Sequence, residues 1–351
     1  MNCIFKDDLF EIITNNQIKW ESLKDKTFFI TGATGLIGSI LVKAILLKNK
    51  IHKSNIKMFL LVRNINKARQ IFDDESIEFI ESDIENCPMI KGIDYIIHAA
   101  SPTKSKFLSE NPVETIDTSI LGTKRILEIA RANHITSMVY LSSMEMYGVL
   151  NNDNVTEGDL GYIDLKSTRS SYPEGKRMCE LYCYSYFKEY SIPVKIARLA
   201  QTFGAGISKT ENRVYKVFAD SILDGKDIVL KSTGETKINF CYTVDAILGI
   251  LFLLLQGEDG ESYNVVSEKN NMTILESAKW LLEEFGNGKN KVVFDTDIEK
   301  AGLAPNNYMI LSNKKIKSLG WKSKYTLKEG YRRLLQYLKE ERINEEKNNI
   351  D

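Results

Sequence analysis

A short apolar run followed by three evenly spaced glycines constrains the fold of this chain more than any other feature. Residues 27–30 (TFFI) are β-branched and aromatic, which is typical of a buried strand. Gly32, Gly35 and Gly38 follow, and apolar residues then recur at helical spacing over 40–47. Three glycines alone would also fit an ordinary turn. A strand before them and a helix after them indicate a turn whose backbone N–H groups bind phosphate.

Each glycine meets a different steric requirement in such a turn. Gly32 can adopt backbone angles that are closed to other residues, Gly35 lets a pyrophosphate approach the main chain, and Gly38 lets the helix pack close to the strand. The positive end of the helix dipole then faces the phosphates. The turn therefore predicts a dinucleotide-binding site.

The composition argues against several other classes of protein. Lys plus Arg and Asp plus Glu each total 47 in 351 residues, so the charge balance does not favour nucleic acid or an acidic membrane surface as a partner. The longest apolar run, 246–255, is too short to cross a bilayer, and residues 1–8 lack the apolar core of a secretory signal. Five scattered cysteines fit reduced thiols, so we predict a cytoplasmic protein.

The sequence predicts no metal site. Cys179 and Cys183 lie four residues apart on a predicted helix, but no further Cys or His lies near them in the sequence. The three histidines are dispersed, and a lone histidine such as His98 is more often a structural residue with satisfied hydrogen bonds.

Strands and helices alternate through the first half of the chain. Apolar runs predict further strands at 58–62, 77–80, 94–98 and 138–141, and the spacing of apolar residues predicts a long helix over 112–133. This alternation is the pattern of an α/β protein with a doubly wound, Rossmann-type parallel sheet.

The residues that follow the second, third and fourth strands bear on the cofactor. Arg63 stands where an acid would bind the ribose diol of NAD, and a basic residue there can bind the 2′-phosphate of NADP. The sequence therefore slightly favours NADP over NAD. Asp83 could hydrogen-bond an adenine amino group, or could simply cap a turn. The small residues Ala99, Ala100 and Ser101 allow a cofactor to lie close to the strand end.

Tyr172 and Lys176 are four residues apart and therefore share one face of a predicted helix. A lysine ammonium beside a tyrosine stabilises the phenolate and lowers a pKa that is ordinarily about 10. Such a tyrosine can take a proton from a sugar hydroxyl, while Ser143, at the end of the preceding strand, orients the same oxygen. This spacing also occurs by chance on ordinary helices. Beside a dinucleotide turn and a strand-end serine, it predicts a catalytic site.

Together these motifs resemble the extended short-chain dehydrogenase/reductase family, and within it the NAD-dependent nucleotide-sugar epimerases, dehydratases and decarboxylases. The resemblance covers roughly 26–337 and includes GATGLIG, HAASP at 98–102 and SSMEMYG at 142–148. HAASP, the glutamate of SSMEMYG and RSSYPEGKR at 169–177 are most similar to the UDP-glucuronate decarboxylases of that family. The resemblance implies a tightly held NAD(P), a transient 4-keto sugar formed by the tyrosine, and return of the same hydride.

The resemblance also completes the set of expected site residues. The catalytic group is Ser143, Glu145, Tyr172 and Lys176. The cofactor is expected to contact the glycine turn, the strand ends and the catalytic helix, through Gly32, Thr34, Gly35, Leu36, Ile37, Arg63, Asp83, Ile84, Ala99, Ala100, Ser101, Tyr172 and Lys176. A nucleotide sugar is expected to contact Ser101, Thr103, Glu145, Gln201, Thr202, Arg213 and Lys237. Within that set Arg213, or its neighbour Lys216, would contact a phosphate.

Two departures from the family pattern bear on the reaction. Dehydratases carry an acid where Met144 stands, and a thioether cannot protonate a leaving hydroxyl, so 4,6-dehydration is disfavoured. Decarboxylases usually carry an arginine where Lys237 stands, and lysine lacks the bidentate fork that binds a carboxylate. Glu145 keeps decarboxylation open. An epimerase needs only the keto intermediate and room to turn it, so we prefer epimerisation, with decarboxylation or NADPH-dependent keto-sugar reduction as alternatives.

The chain is predicted to form two interleaved lobes rather than two successive domains. The expected parts are a helical extension (1–26), a cofactor domain (27–200, with 238–256 returning to it), a smaller substrate lobe (201–237 and 257–341) and a frayed, charged tail (342–351). Asp245 is expected to cap the helix that follows it. The family resemblance implies a homodimer, for which the predicted helices 112–133 and 172–190 are the candidate interface.

Overall fold

The computed structural model describes residues 2–267, 272–295 and 308–348, and it alternates strands with helices through most of this length. The strands are β1 (Thr27–Thr31), β2 (Lys57–Val62), β3 (Ile77–Glu81), β4 (Tyr95–His98), β5 (Ser137–Ser143), β6 (Val194–Leu199), β7 (Gln201–Phe203), β8 (Ile228–Leu230), β9 (Lys237–Ile238), β10 (Phe240–Tyr242), β11 (Ser262–Val265), β12 (Met272–Thr273) and β13 (Val292–Phe294). The helices are α1 (Cys3–Thr14), α2 (Leu36–His52), α3 (Ile65–Ile71), α4 (Ser105–Glu110), α5 (Pro112–Asn133), α6 (Ser171–Tyr190), α7 (Val214–Leu223), α8 (Thr243–Gln256), α9 (Ile274–Phe285), α10 (Lys314–Ser318) and α11 (Leu327–Asn348).

Seven strands form one parallel sheet in the spatial order β11, β6, β5, β4, β1, β2, β3. From β1 the chain moves outward to β2 and β3, and then crosses back to place β4 on the other side of β1. Ligands of such sheets bind where the strand order reverses, beyond the carboxyl ends of the strands. The predicted doubly wound α/β fold is confirmed.

The central strand β1 is apolar along its length because helices cover both faces of the sheet. Phe28 and Ile30 belong to a core that includes α2 and α8, whereas Phe29 points to the opposite face and packs with residues of α5 and α6. The long apolar run of the sequence lies in α8, which is buried over nearly its whole length. None of the helices in the described ranges is long and apolar enough to span a membrane.

A smaller lobe stands beside the carboxyl edge of the sheet. It contains three two-stranded sheets, in which β10 pairs with β7 and β13 with β8 in parallel, while β12 pairs with β9 antiparallel. Aromatic side chains dominate its core, notably Phe203, Tyr215, Phe240 and Tyr331. Helices α7, α9 and α11 enclose this core.

The strand pairing differs from the predicted lobe boundaries at two places. Strand β11 lies in the segment predicted for the substrate lobe, but it pairs with β6 and forms the edge of the main sheet. Strand β10 lies in the segment expected to return to the cofactor domain, but it pairs with β7 outside that sheet, and the part of the segment that packs against β5 and β6 is α8. A short apolar run indicates a strand without indicating its partner, so sequence alone misplaces both segments.

The C-terminal helix extends further than predicted. The sequence predicts fraying from Arg342, whereas α11 continues to Asn348. Arg342 donates hydrogen bonds to Asp224 at 2.6 Å and to Asp220 at 3.0 Å, which fastens the helix to α7 and the residue after it. The last predicted tail residues, 349–351, lie outside the described residues.

Asp245 has a structural role, but it is not the predicted helix cap. Tyr242 is the N-cap of α8, and Asp245 lies within the first turn of that helix. Its two carboxylate oxygens accept hydrogen bonds from the backbone N–H groups of Lys324 and Tyr325, each at 2.9 Å. Burial raises the pKa of this carboxyl to about 7. Asp245 therefore anchors the segment that leads into α11.

The N-terminal helix α1 joins both lobes. It packs against α2 and α8 of the main domain and against α11. Asp8 accepts hydrogen bonds from the Tyr242 hydroxyl at 2.7 Å and from Arg333 Nε at 2.9 Å. The predicted helical extension is thus an integral part of the fold.

Candidate active site

The glycine turn joins β1 to α2 at the carboxyl edge of the sheet. Gly32 has a φ of 67°, and a Cβ there would lie 2.7 Å from backbone atoms of Ala99 and Ala100. A Cβ on Gly38 would lie 2.3 Å from the carbonyl oxygen of Gly32. Both positions need glycine, because the turn packs directly against the residues after β4 and α2 packs directly against the turn.

The start of α2 is open toward the edge of the sheet. Its N-cap is Gly35, which has no side chain to occupy the first turn. Among the described residues, a Cβ on Gly35 would meet only the carbonyl oxygen of Gly32, at 3.3 Å. Free N–H donors, the positive end of a helix dipole and an unobstructed approach fit the pyrophosphate of a dinucleotide.

The expected cofactor residues lie at the carboxyl ends of four neighbouring strands. Arg63 follows β2 and Asp83 follows β3, and both side chains are exposed. The half-buried Ala99, Ala100 and Ser101 follow β4. Thr34 lies in the glycine turn, Leu36 and Ile37 begin α2, and the buried Ile84 follows β3. Apart from Tyr172 and Lys176 on α6, the expected cofactor residues therefore lie at or near one edge of the sheet.

His98, at the end of β4, is a structural residue. Its Nδ1 lies 2.8 Å from the Thr31 hydroxyl and its Nε2 lies 3.1 Å from the Thr123 hydroxyl. Burial lowers the pKa of His98 to about 3, so the ring is neutral at physiological pH. The Thr31 hydroxyl also accepts the N–H of Ala100 at 3.1 Å, which ties β1 to the segment of small residues.

The structure brings the predicted catalytic residues together between β5 and α6. Ser143 ends β5, and its hydroxyl accepts the N–H of Glu145 at 3.2 Å and lies near enough to the phenol of Tyr172, in the first turn of α6, to lower the pKa of that phenol. Lys176 lies one turn further along α6, with Nζ 5.7 Å from the centroid of the Tyr172 ring. That ammonium donates to the carbonyl oxygen of Leu141 at 2.8 Å. The lysine is therefore fixed to the strand that carries the serine.

The charge states within this group differ from the sequence-based expectation. Burial raises the pKa of Tyr172 to about 12, assisted by the nearby carboxylate of Glu145, and the Ser143 hydroxyl opposes that rise. Burial also lowers the pKa of Lys176 to about 8. The expected depression of the tyrosine pKa is not produced by the residues of the chain alone, because burial outweighs the neighbouring cations.

An arginine that the sequence reasoning did not assign lies beside this group. Arg169 belongs to the short turn at Thr168–Ser170 that precedes α6, and its Nη2 donates to Glu145 Oε2 at 2.6 Å. The guanidinium carbon lies 5.6 Å from the centroid of the Tyr172 ring. In the sequence, Arg169 stands three residues before Tyr172, and that proximity was the signal that could have indicated its place beside the tyrosine.

Arg213, an expected substrate residue, also acts on the catalytic tyrosine. It is the N-cap of α7, and it forms a two-point ion pair with Glu211, with Nε–Oε1 at 3.0 Å and Nη2–Oε2 at 2.6 Å. Its positive charge lowers the pKa of Tyr172, against the larger effect of burial. The smaller lobe therefore contributes a cation to the site.

The two expected lysines form ion pairs elsewhere. Lys237 donates to Asp153 at 2.9 Å, and Lys216 donates to Asp220 at 2.5 Å. Neither of these bonds involves the catalytic group. In this structure the ammonium of Lys237 is therefore paired with Asp153.

The remaining expected substrate residues lie on two segments that leave the edge of the main sheet. Ser101 and the exposed Thr103 follow β4. Gln201 and Thr202 lie on β7, just beyond β6, and the Thr202 hydroxyl donates to the carbonyl oxygen of Ala200 at 3.1 Å.

A second arginine–glutamate pair, also not predicted, holds α6 to the sheet. Arg198 on β6 donates to both carboxylate oxygens of Glu180 on α6, with its shortest bond at 2.7 Å. The Ser142 hydroxyl, from β5, donates to the same carboxylate at 2.5 Å. Arg198 Nη1 donates to the Tyr147 hydroxyl at 2.9 Å. This buried network fixes the helix that carries Tyr172.

The two helical cysteines serve packing. Cys179 and Cys183 are buried between α5 and α6, and the Cys179 thiol donates to the carbonyl oxygen of Ser119 at 3.1 Å. Within the described ranges, no three His, Cys, Asp or Glu side chains are grouped so that they could hold a metal ion.

Comparison with known proteins identifies the family. The profile of the NAD dependent epimerase/dehydratase family matches residues 28–266. The UDP-glucuronic acid decarboxylase 5 of Arabidopsis thaliana is 28% identical over 303 residues, which are 86% of this chain and 86% of that protein. The UDP-glucuronic acid decarboxylase 1 of Xenopus tropicalis is 26% identical over 92% of this chain and 75% of its own.

Solved structures share the fold. The UDP-glucuronic acid 4-epimerase of Bacillus cereus, in complex with UDP-glucuronic acid and NAD, superposes with a TM-score of 0.73 at 21% identity, covering 90% of this chain and 99% of its own. At that identity the likeness concerns the fold alone. The family profile, however, matches more than half of the chain. The protein is therefore an enzyme of the NAD-dependent epimerase/dehydratase family, as its sequence motifs predict.

Proposed function

We propose that the protein is a nucleotide-sugar epimerase that oxidises C4 of its substrate to a transient ketone and then returns the same hydride. The observation that carries the proposal is the convergence of Ser143, Tyr172 and Lys176 at the edge of the sheet that also presents the glycine turn. Only β4 separates β5 from β1, which places the two features about 10 Å apart across the sheet. A dinucleotide seated on the turn can span that distance.

The side chains have separate roles in this reaction. NAD, when bound, supplies the hydride acceptor. Tyr172 takes the proton of the C4 hydroxyl, and Ser143, whose hydroxyl lies near the phenol, orients the same oxygen. Lys176, fixed on β5, stabilises the phenolate electrostatically. When the ketone is reduced again, Tyr172 returns the proton.

Epimerisation follows if the planar ketone presents its other face before the hydride returns. That step needs room but no further acid. Dehydration would need an acid where Met144 stands, and a thioether supplies none. We therefore retain epimerisation as the first function.

Decarboxylation is the second candidate, and two observations favour it. Glu145 lies in the catalytic group, and the curated relatives named above are UDP-glucuronic acid decarboxylases. A 4-keto hexuronate is a β-keto acid, so the bond to its carboxylate breaks readily and the electron pair passes to the ketone as an enolate. Protonation of that enolate and reduction at C4 would then complete the reaction with release of CO2.

The cofactor preference and the keto-sugar reductase alternative are linked. The name of the matching family gives NAD as its cofactor. The exposed Arg63 instead supports a preference for NADP. A reductase would use NADPH from solution and consume it, but an epimerase or a decarboxylase recycles its cofactor. Mass spectrometry of ligands released from the denatured protein identifies the dinucleotide directly.

We also propose a cytoplasmic homodimer that packs through α5 and α6. The five cysteines are free thiols, which suits a reducing compartment. Large apolar side chains are exposed along both helices, namely Val113, Ile116, Leu121, Met178, Leu181 and Tyr184. Light scattering of the purified protein should give the mass of two chains, and the mass of one chain would remove this proposal.

Incubation with nucleotide sugars that carry deuterium at C4 tests the proposed reaction. Epimerisation should yield a product of unchanged mass that keeps the deuterium, because the same hydride returns. Decarboxylation should keep the label and lose the mass of CO2. Net consumption of added NADPH would favour the reductase. Release of the label to free cofactor would contradict both recycling mechanisms.

A further inference from the structure

A buried carboxylate lies one helical turn beyond the catalytic lysine. Glu180 follows Lys176 by four residues on α6, so the two side chains share one face of that helix. Lys176 is 3% exposed and the Glu180 side chain is 8% exposed. Opposite charges placed in this way inside the fold act on each other with little screening by water.

Strand β5 holds the two head groups at neighbouring positions. The Lys176 ammonium donates to the carbonyl oxygen of Leu141 at 2.8 Å, and the Glu180 carboxylate accepts the hydroxyl of Ser142 at 2.5 Å. The residue after Ser142 is Ser143, which belongs to the catalytic group. Glu180 therefore fixes the strand between the residue that anchors the lysine and the serine of the catalytic group.

Other ionisable groups also face the Lys176 ammonium, from α6, β5, β4 and the turn after β5. They are Tyr172, Cys179 and Cys183 on α6, Tyr140 on β5, His98 on β4 and Glu145 in the turn. Burial raises the pKa of the Tyr140 phenol and of the Cys183 thiol and lowers that of His98, so these groups are uncharged at physiological pH. The Cys179 thiol donates a hydrogen bond to a backbone carbonyl oxygen, so it too is neutral.

Of the carboxylates that act on the lysine, Glu180 is the more enclosed. The Glu145 side chain is 36% exposed and bonds to Arg169, so water screens its charge. Glu180 is buried, and Arg198 donates to both of its oxygens from β6. Burial lowers the pKa of Lys176 to about 8, and the charge of Glu180 opposes that effect. Without this anion the lysine would lose more of its charge near physiological pH.

We propose that Glu180 is a positioning residue of the reaction, which keeps Lys176 in its ammonium form beside the phenol and fixes the strand that carries Ser143. The inference rests on the proposed function, because it takes Tyr172 as the base and Lys176 as the cation that stabilises the phenolate. A carboxylate that served only to hold α6 in place would leave the charge of the lysine unchanged when an amide of the same shape replaced it.

Titration of the lysine by nuclear magnetic resonance tests the proposal without turnover. In protein whose lysines carry a carbon isotope label at Cε, the resonance that disappears in Lys176→Met belongs to Lys176. Its midpoint should lie near pH 8 in the native protein. In Glu180→Gln it should lie at least ~0.5 pH unit lower. The control is Glu189→Gln, which alters an exposed glutamate near the end of the same helix and should leave the midpoint unchanged.

Turnover should follow the same charge. At saturating substrate, Glu180→Gln should move the alkaline limb of the kcat profile to lower pH, because the phenolate loses its neighbouring cation at a lower pH. KM should stay within ~2-fold of the native value, because the variant alters a buried charge rather than a substrate contact. Glu180→Asp keeps the charge on a shorter side chain and should return the limb toward the native position.

A second variant covers the case in which Glu180→Gln does not fold because Arg198 is left without its anion. Glu180→Gln/Arg198→Met removes both charges, and its Lys176 midpoint should still lie below the native value, because the lysine shares a helix face with Glu180 and not with Arg198. An unchanged midpoint in a folded variant, or a kcat that falls equally at every pH, would overturn the proposal. A lower midpoint in protein that converts no nucleotide sugar would support the role of Glu180, and only the proposed reaction would fail.

Discussion

The Arg198–Glu180 and Arg169–Glu145 pairs both lie near the end of β5, and they differ in how completely their hydrogen bonds are used. All three guanidinium nitrogens of Arg198 donate, two to Glu180 and the third to the Tyr147 hydroxyl. Arg169 makes one bond, to Glu145, and two of its nitrogens are without a partner in the described residues. Both arginines are removed from solvent, with side chains 8% and 12% exposed.

The difference separates a pair that holds α6 to the sheet from a pair that lies beside the catalytic tyrosine. A buried charge is tolerated only when partners compensate for the lost hydration. The Arg198–Glu180 pair obtains that compensation within the fold, and it holds α6 against β5 and β6. The Arg169–Glu145 pair obtains only part of it from the described residues, since two nitrogens of Arg169 are without a partner there. The degree of hydrogen-bond saturation, rather than burial, distinguishes their roles.

Breaking the Arg198–Glu180 pair, whose guanidinium nitrogens all donate hydrogen bonds, should have the largest effect on stability. We expect Arg198→Met to lower the free energy of unfolding by about 3–5 kcal/mol, because it leaves the Glu180 carboxylate buried without its cation. Urea denaturation followed by circular dichroism measures the change. Adding Glu180→Gln should recover part of the loss, since it removes the stranded charge. A loss below about 1 kcal/mol would mean that this network is not structural.

Removing the phenol should affect turnover and spare the fold. We expect Tyr172→Phe to lower turnover at least ~10²-fold, which corresponds to about 2.7 kcal/mol in the activation free energy. The melting temperature and the affinity for NAD should stay near the native values, because the ring still fills its buried site. Turnover near the native rate would remove Tyr172 from the mechanism.

Breaking the Arg169–Glu145 pair should change stability least. In Arg169→Met the loss of one bond is offset by removal of two unsatisfied buried donors, and the Glu145 side chain is 36% exposed, so its charge remains hydrated. We expect the free energy of unfolding to change by less than about 1 kcal/mol. The same urea titration measures it. A loss as large as that of Arg198→Met would abolish the distinction between the pairs.

The same contrast explains what the sequence could predict. The glycine turn was predictable because its requirements are local: one positive φ and two close backbone contacts follow from glycines three residues apart. The bond between Arg169 and Glu145 spans 24 residues, and that between Lys237 and Asp153 spans 84. The sequence placed Lys237 where the decarboxylases usually carry an arginine, but it did not show that the side chain would pair with Asp153.

Long-range pairing also limited the prediction of the fold. The edge strand β11 pairs with β6, which lies more than sixty residues earlier in the chain. Arg342 donates a hydrogen bond to Asp224 across 118 residues. The pKa of Tyr172 shows the same limit. The sequence identified Lys176 as its neighbour, but burial of the phenol, which raises the pKa to about 12, depends on packing from several elements.

Arg169 and Glu145 should also shift the pH dependence of catalysis, and they should shift it in opposite directions. Glu145 raises the pKa of Tyr172 and Arg169 lowers it, although burial is the larger cause. Proton abstraction needs the phenolate, so turnover rises as the pH passes through the pKa of the phenol in the complex. Glu145→Gln should therefore move the acid limb of the kcat profile to lower pH, and Arg169→Met should move it to higher pH.

Measuring kcat at saturating substrate separates this effect from a change in substrate binding. The double variant Glu145→Gln/Arg169→Met should return the acid limb toward the native position, because removing both charges cancels their opposite effects on Tyr172. Arg332→Met, on the exposed face of α11, should leave the profile where it is. If Glu145→Gln and Arg169→Met shift the limb in the same direction, the pair does not act on the phenol through its charges.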